Sequence, residues 1–222
     1  MLHLGSIGKT SIDVDFSFFI LLLVFIAYAY TPGQPIQFAL IWIPVVFISV
    51  LIHELSHAGM IGLLGFGSSQ IVLGGMGGVT INGRRAKPWQ DLFISVAGPL
   101  SNFVLMFVCS QLESRFAIFS QDRMLVELMP RLVSANLWWG IFNLIPVPPL
   151  DGGHATREFF RIFLNERLAF VIAIWIAMIV GSGVVVLALV TRSLFMALYL
   201  GWFVYVAWQQ WQYFRQHGVP GD

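Results

Sequence analysis

From Phe16 to Gly83 only one side chain is charged, Glu54, and it lies inside an apolar run that extends from Ile36 to Leu64. Few architectures tolerate such a stretch. Of the 222 residues, 58% are hydrophobic and 10% are charged, whereas soluble domains carry about a quarter charged residues. The polar side chains are too few to cover a water-soluble globule, so the expected surface faces lipid. The formal net charge of +1 gives no strong attraction to nucleic acid. The single cysteine, Cys109, lies in an apolar run and has no internal partner for a disulfide.

A helix needs about 20 mostly apolar residues to cross a bilayer. Six segments approach that length: Phe16 to Tyr30, Ile36 to Leu64, about Leu92 to Leu112, a fourth from near Leu132 to the prolines at Pro146, Leu168 to Val190, and Ser193 to Tyr213. The first resembles a signal-peptide core ending at Ala27-Tyr28-Ala29, but Asp13 and Asp15 precede it against a single Lys9. Retention as a membrane helix is therefore expected. The glycine-rich stretch Ser69 to Asn82 disfavours a helix. Its flanking β-branched residues suggest a hairpin or small sheet, either a loop at the membrane surface or an open strand edge for substrate. The expected fold is an all-α membrane protein of about six transmembrane helices, with this β element between helices 2 and 3. One integral-membrane domain is expected over residues 1–222.

Basic residues in short loops set orientation. With six helices one side holds Lys9, Arg84, Arg85, Lys87, Arg157, Arg161, Arg167 and Arg215, and the other holds Arg115, Arg123, Arg131 and Arg192. The excess places both termini in the cytoplasm. Trp138, Trp139, Trp202, Trp208 and Trp211 fit an interfacial belt.

An ionisable residue inside a membrane segment is a functional candidate by default. Glu54 is flanked by His53 and His57, in the order His53-Glu54-Leu55-Ser56-His57. Residues i and i+4 share a helix face, so both imidazoles can bind one zinc ion, with Glu54 beside it as a proton acceptor. The bland alternative, a polar patch satisfied by another helix, accounts well for a lone histidine and poorly for this triplet. Catalytic zinc usually takes three protein ligands and a water. Candidates for the third ligand are Asp151 and His154, which follow the helix-breaking Pro146, Pro148 and Pro149. On the residues alone an ordinary loop with a solvated aspartate is an equal reading. Ser56 and the glycines beyond it are candidates to line a water path.

These elements together resemble the site-2 protease family of intramembrane metalloproteases. The matching residues are His53 to His57, Asn143 with Pro146 through Asp151-Gly152-Gly153, Ala97-Gly98-Pro99-Leu100-Ser101-Asn102, and the glycines from Gly74 to Gly78. The resemblance implies that His53, His57 and Asp151 hold Zn2+ and that Glu54 is the general base. It also implies that Asn143 helps hold the substrate or its developing oxyanion, and that Pro99 and Asn102 support the site. Relatives with a PDZ or CBS domain use it for control. This chain is expected to contain neither, and a regulatory partner is unknown.

The expected activity is hydrolysis of peptide bonds in membrane-spanning protein substrates, within a lipid bilayer. A non-proteolytic membrane zinc-binding or transport protein is the alternative. Against a transporter, the centres of the last two segments carry little polarity beyond Ser182 and Thr191.

Overall fold

The computed structural model describes residues 1–83, 86–115 and 123–218. It is mostly helical and divides into two compact units, Met1–Arg85 with Ala97–Gly140, and Ala86–Val96 with Ile141–Asp222.

The first unit opens with strands β1 (Leu2–Ile7) and β2 (Thr10–Val14) and helix α1 (Phe16–Ala29). A short helix α2 (Gln37–Leu40) leads into α3 (Trp42–Leu63), followed by β3 (Ser69–Gly74) and β4 (Gly77–Asn82). It also contains helix α4 (Pro88–Arg115) from Ala97 onward and helix α5 (Arg123–Asn143) as far as Gly140.

The sheet is larger than the hairpin expected between the second and third apolar segments, and two of its strands precede α1. Strand order is β1-β2-β3-β4, with β2 parallel to β3 and the outer pairs antiparallel. An isolated hairpin is marginal in water. Here β2 covers the inner edge of β3, and its alternation places Ile12 and Val14 in a core with Ile71, Leu73, Val46 and Val50. That period-2 pattern is short and lies against the first apolar run, which is why the sequence reading passed over it. Strand β4 remains at the sheet edge.

Entry into α1 is pinned from both sides. The Asp15 carboxylate accepts from the Ser17 amide at 2.9 Å and from its hydroxyl at 2.6 Å, which lowers its pKa from the usual carboxylate value. The Gly75 amide in turn donates to the Ser17 hydroxyl at 2.9 Å. In α3 the buried positions Val46, Ser49, Val50, His53, Glu54, His57, Ala58 and Ile61 recur every three or four residues, defining one inward face. The helix stops where Gly65 takes a φ of +79°, a conformation that costs glycine little.

Among the described residues, three helices are long and apolar enough to cross a membrane: residues 37–63, α4, and a helix of the second unit over Glu166–Val190. Helix α1 has 14 residues, about 21 Å at 1.5 Å per residue, against a hydrocarbon core of about 30 Å. Helix α5 has the length but carries Arg123, Glu127 and Arg131. The basic pair Arg84 and Arg85, used above for orientation, lies outside the described residues.

The second unit contains α6 (Asp151–Phe163), α7 (Glu166–Val190) and α8 (Leu194–His217). Its core joins Val147, Leu150, Phe170, Ile174, Leu200 and Phe203. Of the two equal readings of the stretch at Asp151, an ordinary loop and a broken helix presenting the carboxylate, the structure has the helix, 13 residues long. Two glycines at its start hide a strongly amphipathic pattern from a search for apolar runs. Tryptophans also divide: Trp138, Trp202 and Trp208 are exposed, as an interfacial belt requires. Trp139 instead packs on the sheet core, and Trp211 packs on the core of the second unit.

Candidate metal centre

His53, Glu54 and His57 are 3%, 3% and 6% exposed on the inward face of α3. Burying three ionisable groups is costly unless each has a partner, and the geometry shows what two of them share. His53 Nε2 and His57 Nε2 face each other at 3.1 Å, with the rings nearly perpendicular at 80°. Two nitrogens bound to one tetrahedral zinc at 2.0–2.1 Å would lie roughly 3.3 Å apart, so the pair fits a shared ion. A Cβ built on Gly98 would stand 2.6 Å from His53 Nε2 and press on His57 Nε2 as well. Glycine at this position keeps open the space in front of both nitrogens.

The far nitrogen of His53 is held by a chain of buried amides. Its Nδ1 meets Asn102 Oδ1 at 2.6 Å. Asn102 Nδ2 donates to Asn136 Oδ1 at 2.7 Å, and Asn136 Nδ2 donates to the Ser49 hydroxyl at 2.9 Å and to the Leu132 carbonyl at 2.8 Å. Because each amide both gives and receives, the chain sets which end of Asn102 faces the imidazole. His53 therefore donates from Nδ1 and keeps its Nε2 lone pair for a metal, an arrangement that orients metal-binding histidines generally. Asn102 and Asn136 are both fully buried. Asn102 falls in the segment that resembles the family. Asn136 and Ser49 were missed, although a lone asparagine between apolar residues inside a helix was a usable signal.

Strand β4 approaches Glu54 directly. Gly78 has no room for a side chain, since a Cβ there would lie 2.5–2.7 Å from Glu54 Cγ, Oε1 and Cδ. Two residues on, Thr80 donates its hydroxyl to Glu54 Oε2 at 2.7 Å. Ser56, suggested for a water path, instead bonds back to the Ile52 carbonyl at 2.9 Å.

In the second unit Asn143 ends α5, and Asp151 is the first residue of α6. Between them the chain folds tightly on itself. A Cβ on Gly152 would strike the Leu144 carbonyl oxygen, and one on Gly153 would come within 2.5 Å of Pro148 N. The glycines thus let the Asp151 turn rest against the proline segment. Farther along α6, Arg161 pairs with Glu158 at 2.6 Å and with Glu166 at 2.5 Å, and Arg157 pairs with Glu166. These links tie α6 to the start of α7. His154 is exposed on α6, a helical surface position.

Against known proteins, the description "Peptidase M50B-like" matches residues 18–147, and "Peptidase family M50" matches residues 110–188. The chain belongs to the M50 peptidase family. Among relatives of this M50 peptidase is a zinc metalloprotease of Methanocaldococcus jannaschii, 31% identical over 182 residues, which cover 82% of this chain and 51% of the relative. A Mycobacterium tuberculosis relative is 30% identical over 171 residues, 72% of this chain and 42% of its own length. The chain spans about half the length of the curated relatives it matches. The solved structure of a site-2 protease from Methanocaldococcus jannaschii superposes with a TM-score of 0.65 at 26% identity and covers 94% of both chains. The resemblance to site-2 proteases noted from the motifs is borne out over nearly the whole M50 peptidase chain.

Proposed function

We propose that this chain is one integral-membrane domain of a zinc metalloprotease that hydrolyses peptide bonds in membrane-spanning proteins. The observation that carries this reading is the pair of imidazole nitrogens 3.1 Å apart on a buried helix face, with Glu54 in the same turn. The matched relative is named a zinc metalloprotease and the superposed structure a site-2 protease. Zn2+ is the cofactor, held by His53, His57 and Asp151. Zinc, when bound, acts as a Lewis acid that polarises the scissile carbonyl and makes water acidic enough to attack near neutral pH. Glu54 accepts the proton of the attacking water and passes it to the leaving amine. Asn143 donates its side-chain amide to the substrate carbonyl. The substrate is a transmembrane protein whose helix unwinds locally, because a helix hides its carbonyls. The test is cutting of a single-span reporter by the purified protein in lipid. Cleavage should stop on chelation and return with zinc. A chelated protein that cuts at full rate would refute the assignment.

About six apolar segments cross a bacterial or archaeal cell membrane, with both termini in the cytoplasm; the 14 residues of α1 span it where the bilayer thins to meet a short helix. The support is the bias of basic residues among the loops. In a Cys109→Ala background, Gly33→Cys should react with an impermeant thiol reagent added outside, and Gly83→Cys should be protected. Preferential outside labelling at position 83 would reverse the orientation.

A further inference from the structure

Glu54 carries its carboxylate on a side chain with three rotatable bonds, and a base that swings away from the reacting water loses most of its effect. The Thr80 hydroxyl lies 2.7 Å from Glu54 Oε2 and 3.1 Å from the main-chain oxygen of the same residue. One hydroxyl thus touches both ends of Glu54. The carboxylate oxygen is the nearer and more strongly charged acceptor, so it takes the proton, while the second contact fixes where the hydroxyl stands. Thr80 is itself well anchored. It pairs with Ile71 across β3 and β4, and Ile71 is fully buried in the sheet core. Side chains alternate along a strand, so Gly78 and Thr80 present the same face of β4 to Glu54. The glycine makes room for Oε1 and the threonine binds Oε2.

We infer that Thr80 is a positioning residue for the reaction, holding the Glu54 carboxylate in place through one of its oxygens. The inference rests on the protease reading above and adds the element that aims its base. It makes the edge strand part of the catalytic geometry: a disturbance of β4 reaches the chemistry through this hydroxyl.

Thr80→Val keeps the branched shape that suits a strand and removes the hydroxyl. Thr80→Ser keeps the hydroxyl and loses the methyl group. With the single-span reporter, Thr80→Val should lower kcat by about 10–100-fold, the usual cost of losing a supporting hydrogen bond at a metal site. KM, zinc content and thermal stability should stay near wild type. Thr80→Ser should restore most of the rate. The double variant Thr80→Val/Glu54→Gln should cut no more slowly than Glu54→Gln alone, since residues that act as a unit are not additive. Four results would overturn the role: a wild-type kcat in Thr80→Val, an equal fall in Thr80→Ser, an effect confined to KM, or loss of zinc along with turnover. If zinc-loaded wild type and all variants leave the reporter intact, the protease reading itself falls and the inference falls with it.

Discussion

Glu54→Gln should leave the purified protein with close to a full complement of zinc, yet cut a single-span reporter about two to four orders of magnitude more slowly than wild type. The substitution keeps the size of the side chain and removes its capacity to accept a proton. The histidine pair on either side is untouched, and so is the amide chain from Asn102 through Asn136 to Ser49 that orients His53. Thr80 can still donate to the remaining amide oxygen, so the local packing against Gly78 and Thr80 should survive. Metal content and turnover are therefore expected to separate. Their separation distinguishes a hydrolase from a membrane protein that merely stores or carries zinc. If the variant cuts at the wild-type rate, Glu54 is not the base, and the non-proteolytic alternative moves ahead.

Asp151→Ala should behave in the opposite way, losing zinc and cleavage together. On the proposed assignment His53 and His57 supply two ligands, and a working zinc hydrolase needs a third from the protein. Asp151 stands at the position that resembles the family's ligand, at the head of α6, where Gly152 and Gly153 let the turn close. Loss of a direct ligand should weaken zinc binding by more than the roughly 10–100-fold typical of a lost supporting contact. His154→Ala is the matched control: the residue is exposed three positions along the same helix, and its removal should leave the metal in place. The measurement is zinc per purified protein, with helical content by circular dichroism as the check on folding. If His154→Ala strips the metal while Asp151→Ala keeps it, the third ligand has been assigned to the wrong residue.

The sequence by itself determined whatever depends on short-range spacing. Two histidines at i and i+4 around a glutamate share a helix face wherever that helix lies, and three prolines followed by two glycines must break and restart the chain. The apolar runs were equally legible because lipid-facing surface is a matter of composition. Only the tertiary structure showed that the sheet recruits two strands from the N-terminus, since the pairing of β2 with β3 is long-range and leaves only a brief alternation in the sequence. It also showed what surrounds the motif. Asn136 reaches His53 through Asn102, Thr80 reaches Glu54 from the edge strand, and Gly98 matters for the volume it leaves empty. None of these has a fixed offset from the motif along the chain. Their roles come from distances between separate elements, which are set by how the helices and the sheet pack and not by any local pattern of residues.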